Sequence, residues 1–178
     1  MNTQAKWIFV LIGDNNTGKT GFQKKILKHL AGEDRDPRLD CNLSFPITHP
    51  NLIRKIRTLS IGNRSIQEKL DVYTDVDNYF ANHFKDADIC IISTHLNLPD
   101  AEKIVMNCHR KFYNVCAVFF TNSILAQQPA NAKISELNWN DRWIVENPPA
   151  GEGVKQNQQL DAASNSFMQM LIERTRSW

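Results

Sequence analysis

Apolar positions along this chain change period several times, and each change marks an element. Trp7-Ile8-Phe9-Val10-Leu11-Ile12 is an unbroken apolar run of strand length, the pattern of a strand covered on both faces. Over residues 21–30 the apolar side chains Phe22, Ile26, Leu27 and Leu30 recur at helical spacing. The polar stretch 32–37 stops that helix, and residues 38–50, with Pro46 and Pro50, read as a loop. Residues 55–61 alternate polar and apolar, and Gly62-Asn63 supplies a turn signal. Residues 65–74 follow, with Ile66, Leu70 and Val72 apolar, so a hairpin of two strands is predicted here.

The second half repeats a strand–helix rhythm. Residues 77–85 are helix-like, with Tyr79, Phe80 and Phe84 apolar, and 88–93 form a buried strand. Residues 100–112 form a helix with Ala101, Ile104, Val105 and Cys108 inward, and 115–120 a further buried strand. Residues 122–140 are weakly patterned and hold one short helix, 142–146 a last strand, and 148–153 a loop. A closing helix spans 160–176, with Phe167, Met170 and Leu171 inward. The expected fold is α/β: a mainly parallel sheet with one antiparallel hairpin strand and helices on both faces, in a single domain over residues 1–178.

Composition narrows this only a little. A chain of 178 residues with 42% hydrophobic and 22% charged residues fits one globular core. A net charge of +2 demands neither nucleic acid nor an anionic membrane. The basic cluster Lys24, Lys25, Lys28 and His29 reads as the solvated face of the first helix. Cys41, Cys90, Cys108 and Cys116 have no C-x-x-C spacing, and His95, Cys108 and His109 match no metal-ligand spacing. These features, with no signal peptide, lipidation motif or membrane-length apolar run, lead to the expectation of a reducing, cytoplasmic setting without direct membrane insertion.

The candidate chemistry lies between the first strand and first helix. Gly13-Asp14-Asn15-Asn16-Thr17-Gly18-Lys19-Thr20, followed by Gly21, has the form G-x-x-x-x-G-K-T. In strand–loop–helix context this is the phosphate-binding loop of nucleoside-triphosphate proteins (Walker A). Its backbone N–H groups cradle phosphate oxygens, helped by the positive end of the helix dipole. Lys19 is expected to reach the β- and γ-phosphates and the Thr20 hydroxyl to ligate Mg²⁺. The expected partners are GTP or ATP as ligand, Mg²⁺ as cofactor, and a protein that completes the site.

Order and spacing resemble the Ras-like small GTPase domain over nearly the whole chain. The loop at 38–50 sits where that family has its first switch, and the hairpin at 55–74 resembles its only antiparallel pair. That resemblance implies Mg²⁺ contacts from Thr48 and from Asp71 or Asp75. It also places Asn122, in "AVFFTNSI", at the base-reading N-K-x-D. The motifs depart from the family: Ser123 and Leu125 replace the lysine and aspartate, and Asp71-Val72-Tyr73-Thr74-Asp75 lacks the second-switch glycine and following glutamine. Weak base discrimination and slow or partner-dependent hydrolysis are the consequence. Residues 107–129 are similar to a region of FtsK/HerA-type genome-packaging ATPases, which would make Asn122 a sensor, Arg110 a trans-acting or structural arginine, and nucleic acid a partner. A third reading is a non-hydrolysing pseudo-GTPase that serves as an interaction module.

Overall fold

The computed structural model describes residues 6–32, 42–52, 56–149 and 153–176. Cys41, Lys55, residues 33–37 of the expected polar break and 38–41 of the expected loop lie outside them. Six strands form one sheet: β1 (Lys6–Ile12), β2 (Leu43–Pro46), β3 (Thr58–Ser65), β4 (Ile89–Thr94), β5 (Tyr113–Phe120) and β6 (Asp141–Val145). Their order is β2-β3-β4-β1-β5-β6, and every pairing is parallel except β2 with β3. The helices are α1 (Lys19–Ala31), α2 (Leu70–Tyr73), α3 (Val76–Asn78), α4 (Leu98–Arg110), α5 (Thr121–Ala126), α6 (Gln128–Ser135) and α7 (Gly153–Arg176).

Strand alternation builds two cores. Phe9 and Leu11 of β1 face α1 and α7, where Phe22, Ile26, Leu27, Leu30 and Phe167 are buried with them. Ring packing of Phe9 and Phe22 edge-on against Phe167, with centroids 4.9 and 5.6 Å apart, fixes how the two helices share this face. Ile8, Val10 and Ile12 face the opposite core, built from Ala101, Ile104, Val105 and Cys108 of α4 with Tyr73, Val76, Tyr79 and Phe80. The continuous apolar runs are therefore interior strands with helices on both sides, as their sequence predicts.

The expected hairpin does not form. β3 runs straight through Gly62-Asn63, and its antiparallel partner is β2, inside the stretch expected to be a loop. Gly62 marks a close approach rather than a turn: a Cβ there would sit 3.0 Å from the Tyr79 hydroxyl. The register with β4 shifts between Ile61 and Ser65, so the glycine lies in an irregular strand end. Residues 65–74, expected as the second strand, instead form a 3₁₀ turn at Ile66–Lys69 and then α2. Ile66 and Tyr73 are buried, whereas Leu70 and Val72 are about half exposed. β2 takes an edge position, where Pro46 costs no interior ladder bond.

Smaller departures are local. The helical segment at 77–85 becomes the short α3 followed by a π turn at Tyr79–His83. Residues 122–140 hold two short helices, α5 and α6, rather than one. The closing helix begins at Gly153, seven residues before its expected start.

Candidate functional site

The loop 13–18 leaves the C-terminal end of β1 and enters α1 directly. Its turn depends on left-handed backbone at two places, Asn16 at φ 64° and Gly18 at φ 98°. Asparagine tolerates that conformation and glycine favours it. The Thr17 hydroxyl donates to the Asp14 carbonyl at 2.9 Å, which closes the loop on itself. No side chain caps α1, and its first turn holds no acidic residue. The unshared N–H groups and the helix dipole therefore present positive potential at this end.

Lys19 is buried, with 8% of its surface exposed. Its ammonium donates to the carbonyls of Gly13 and Asp14, the latter at 2.7 Å, and lies 3.4 Å from Thr17 Oγ1. Burial lowers its pKa from 10.5 to about 8, opposed by the charges of Glu68 and then Asp14. Thr20 is exposed in the first turn of α1 beside it.

Two asparagines hold the loop from the far side. Asn147 Nδ2, after β6, and Asn122 Nδ2, at the start of α5, both donate to the Thr17 carbonyl, at 2.9 and 3.3 Å. Asn122 thus meets the loop backbone, on the wall of an open cleft of about 230 Å³ between residues 14–17 and Asn122, Ser123, Ala126 and Gln127. Leu125 is 65% exposed and does not line it.

The end of β4 is tied to the loop and to the turn after β3. Gly13 N–H donates to the Thr94 carbonyl at 3.2 Å, and Leu96 N–H to Asp14 Oδ1 at 3.3 Å. From the other side, Gln67 Nε2 donates to Thr94 Oγ1 and Asp100 Oδ2 at 3.0 and 2.7 Å, and its Oε1 accepts from His95 N–H. Glu68 Oε1 lies 3.1 Å from His95 Nε2. Residues 13–20, 67–68, 94–96, Asn122 and Asn147 therefore belong to one constellation.

The three expected metal residues besides Thr20 are not part of it. Thr48 N–H donates to the Leu30 carbonyl, which puts Thr48 at the C-terminal end of α1. Thr20 is near the other end of that 13-residue helix, about 15 Å away along its axis. Asp75 caps α3 by accepting from Asn78 N–H at 2.8 Å, and Asp71 lies exposed on α2. The strand end expected to carry these two aspartates does not exist. Among the described residues, no group of three His, Cys, Asp or Glu side chains is arranged to hold a metal unaided. An ion at this site would need oxygen ligands from a bound molecule besides Thr20, which is how Mg²⁺ is commonly held beside phosphates.

Gln67, Glu68 and Asn147 are not singled out by the sequence, and His95 is considered there only as a metal ligand and set aside. The first two were hidden by reading 65–74 as a strand. His95 and Asn147 carry no motif, and only the sheet order brings them to the loop. No protein-family model matches this sequence, and no curated protein matches it significantly.

Proposed function

We infer that this chain binds a nucleoside triphosphate with Mg²⁺ at residues 13–20, and that it hydrolyses the ligand slowly or when a partner completes the site. One observation carries the reading: a buried lysine is folded into a left-handed loop at the uncapped N-terminus of α1. That combination of N–H groups, dipole and ammonium suits a polyphosphate. Lys19 would turn from the loop carbonyls to phosphate oxygens, and the N–H groups of 15–20 would surround them. Thr20 would hold the Mg²⁺ that arrives with the triphosphate, and that ion would screen phosphate charge. The 230 Å³ cleft beside 14–17 would accommodate part of the nucleoside next to the loop.

A switch of the small-GTPase kind is not part of this proposal. Thr48, Asp71 and Asp75, the residues such a switch would use, lie away from the loop or are engaged elsewhere. The packaging-ATPase and pseudo-GTPase readings become outcomes of measurement: DNA-stimulated turnover in a ring would support the first, and binding without any phosphate release the second.

Calorimetric titration of Mg-ATP and Mg-GTP into wild type and Lys19→Ala tests the reading. Loss of the ammonium is expected to weaken triphosphate binding at least about tenfold, or 1.4 kcal/mol. Equal affinity in the two proteins would remove residues 13–20 as the binding site.

A further inference from the structure

Two carboxylates stand beside residues 94–96, where β4 ends against the loop: Asp14 and Glu68. They are not equivalent. Asp14 is committed to the backbone, accepting Leu96 N–H at 3.3 Å. Glu68 is held only at its edges: Oε1 lies 3.1 Å from His95 Nε2, and Oε2 lies 3.4 Å from Arg64 Nη1. Its side chain keeps 27% of its surface open. The turn that carries it is held by Gln67, which bonds Thr94 and His95 at the end of β4 and Asp100 on α4. The same strand end takes the Gly13 N–H. Glu68 is thus fixed relative to the loop through a chain of short contacts, and its side chain stays partly open.

Resting on the nucleotide reading above, we propose that Glu68 is the general base for hydrolysis of the terminal phosphate, and that His95 is its positioning residue. Water oxygen forms a bond to the terminal phosphorus as the bond from that phosphorus to the bridging oxygen breaks. The electron pair stays on the bridging oxygen of the departing nucleoside diphosphate. Glu68 accepts one proton from the attacking water and later releases it to solvent. With its proton on Nε2, His95 donates to Glu68 and keeps the carboxylate turned toward that water. Glu68 lies six positions after Gly62, in the turn that replaces the expected hairpin strand.

The test follows bound nucleotide as well as rate. Wild type, Glu68→Gln, Glu68→Asp, Asp71→Asn, His95→Gln and His95→Ala are each loaded with Mg-ATP or Mg-GTP labelled on the terminal phosphate. Binding is measured by titration, and the bound pool is then separated into di- and triphosphate. A positioned general base is worth about 10²–10⁴ in rate, so Glu68→Gln should bind normally yet retain triphosphate long after wild type holds diphosphate. Glu68→Asp should keep part of the rate, and Asp71→Asn should match wild type. His95→Gln, which retains an N–H within reach, should hydrolyse faster than His95→Ala. Wild-type turnover in Glu68→Gln overturns the assignment while leaving the binding site intact. Wild type that binds but never hydrolyses overturns it equally. Wild type that binds neither triphosphate removes the underlying reading as well.

Discussion

Lys19 is costly to bury and is buried nonetheless. Its pKa of about 8, against 10.5 when free, means that the folded chain releases this proton before the unfolded chain does. Below pH 8 both states are protonated, and the penalty of keeping the charge inside is fully present. Between pH 8 and 10.5 the unfolded state binds more protons, so stability contributed by this group rises with pH. The gap corresponds to something on the order of 3 kcal/mol. Lys19→Met, which fills the same space without charge, is expected to melt above wild type at pH 7. The difference should shrink as pH approaches 10, as differential scanning calorimetry across that range would show. An unchanged gap from pH 7 to 10 would mean that the lysine titrates normally. The cysteines shift in the opposite sense: burial pushes Cys90 up to about 11 and Cys116 up to about 12, which keeps both thiols neutral.

At the scale of elements, Gly62 is the position where local sequence and tertiary structure disagree most. Read locally, Gly-Asn between two apolar stretches is a turn. In the fold it lets the Tyr79 hydroxyl approach the β3 backbone, and a methyl group would meet that oxygen at 3.0 Å. Gly62→Ala is expected to destabilise the chain by about 1–3 kcal/mol through overpacking. Adding Tyr79→Phe should recover part of that loss, because removal of the oxygen opens the space. Chemical denaturation of both single variants and the double variant measures the coupling. Strict additivity would show that the contact is not the cause. The same region explains what the sequence could and could not reveal. β1, β4 and β5 are legible because both faces of each are buried, leaving uninterrupted apolar runs. The inward face of α1 is legible because Phe22, Ile26, Leu27 and Leu30 are all fully buried. Residues 65–74 are misleading because Leu70 and Val72 are apolar yet exposed, while the anchors are Ile66 and Tyr73. β2 is too short and too close to proline to give a period. Within the site, the loop 13–20 stands out by composition, whereas Glu68, His95 and Asn147 become neighbours only through strand order.

Seen whole, the molecule gathers the loop 13–20 and the side chains bonded around it at the C-terminal edge of the parallel strands, with the two cores behind it. No helix among the described residues is long and apolar enough to cross a membrane. The cleft next to the loop also bears on which base is accepted. Asn122 spends its amide on Thr17, and the Ser123 hydroxyl lies 3.3 Å from the Asn131 amide. Leu125, at the position that the small-GTPase resemblance gives to a guanine-reading aspartate, is 65% exposed. No carboxylate stands on the α5 wall of the cleft to accept the paired N–H groups of guanine. Sites built on such bonds discriminate by roughly 10⁴ or more. The expected ratio between GTP and ATP is below about 100 on the same grounds, and competition titration would show it. A preference of several thousandfold would locate a base reader elsewhere in the cleft.

Gln23 is a fully buried amide on α1 whose Nε2 lies 3.2 Å from both the Gly62 carbonyl and Ser93 Oγ. It joins the helix that carries Lys19 and Thr20 to two neighbouring strands at one point. Sliding α1 along its axis would strand that amide without partners in an apolar interior, at a cost of about 1–3 kcal/mol. A piston stroke of the helix in answer to ligand charge at its head would therefore carry that cost. The loop and the turn holding Gln67 and Glu68, where side-chain bonds can exchange one by one, are the expected places for a response to ligand. Amide hydrogen exchange should then change at residues 66–73 on nucleotide addition, while the middle of α1 keeps its protection.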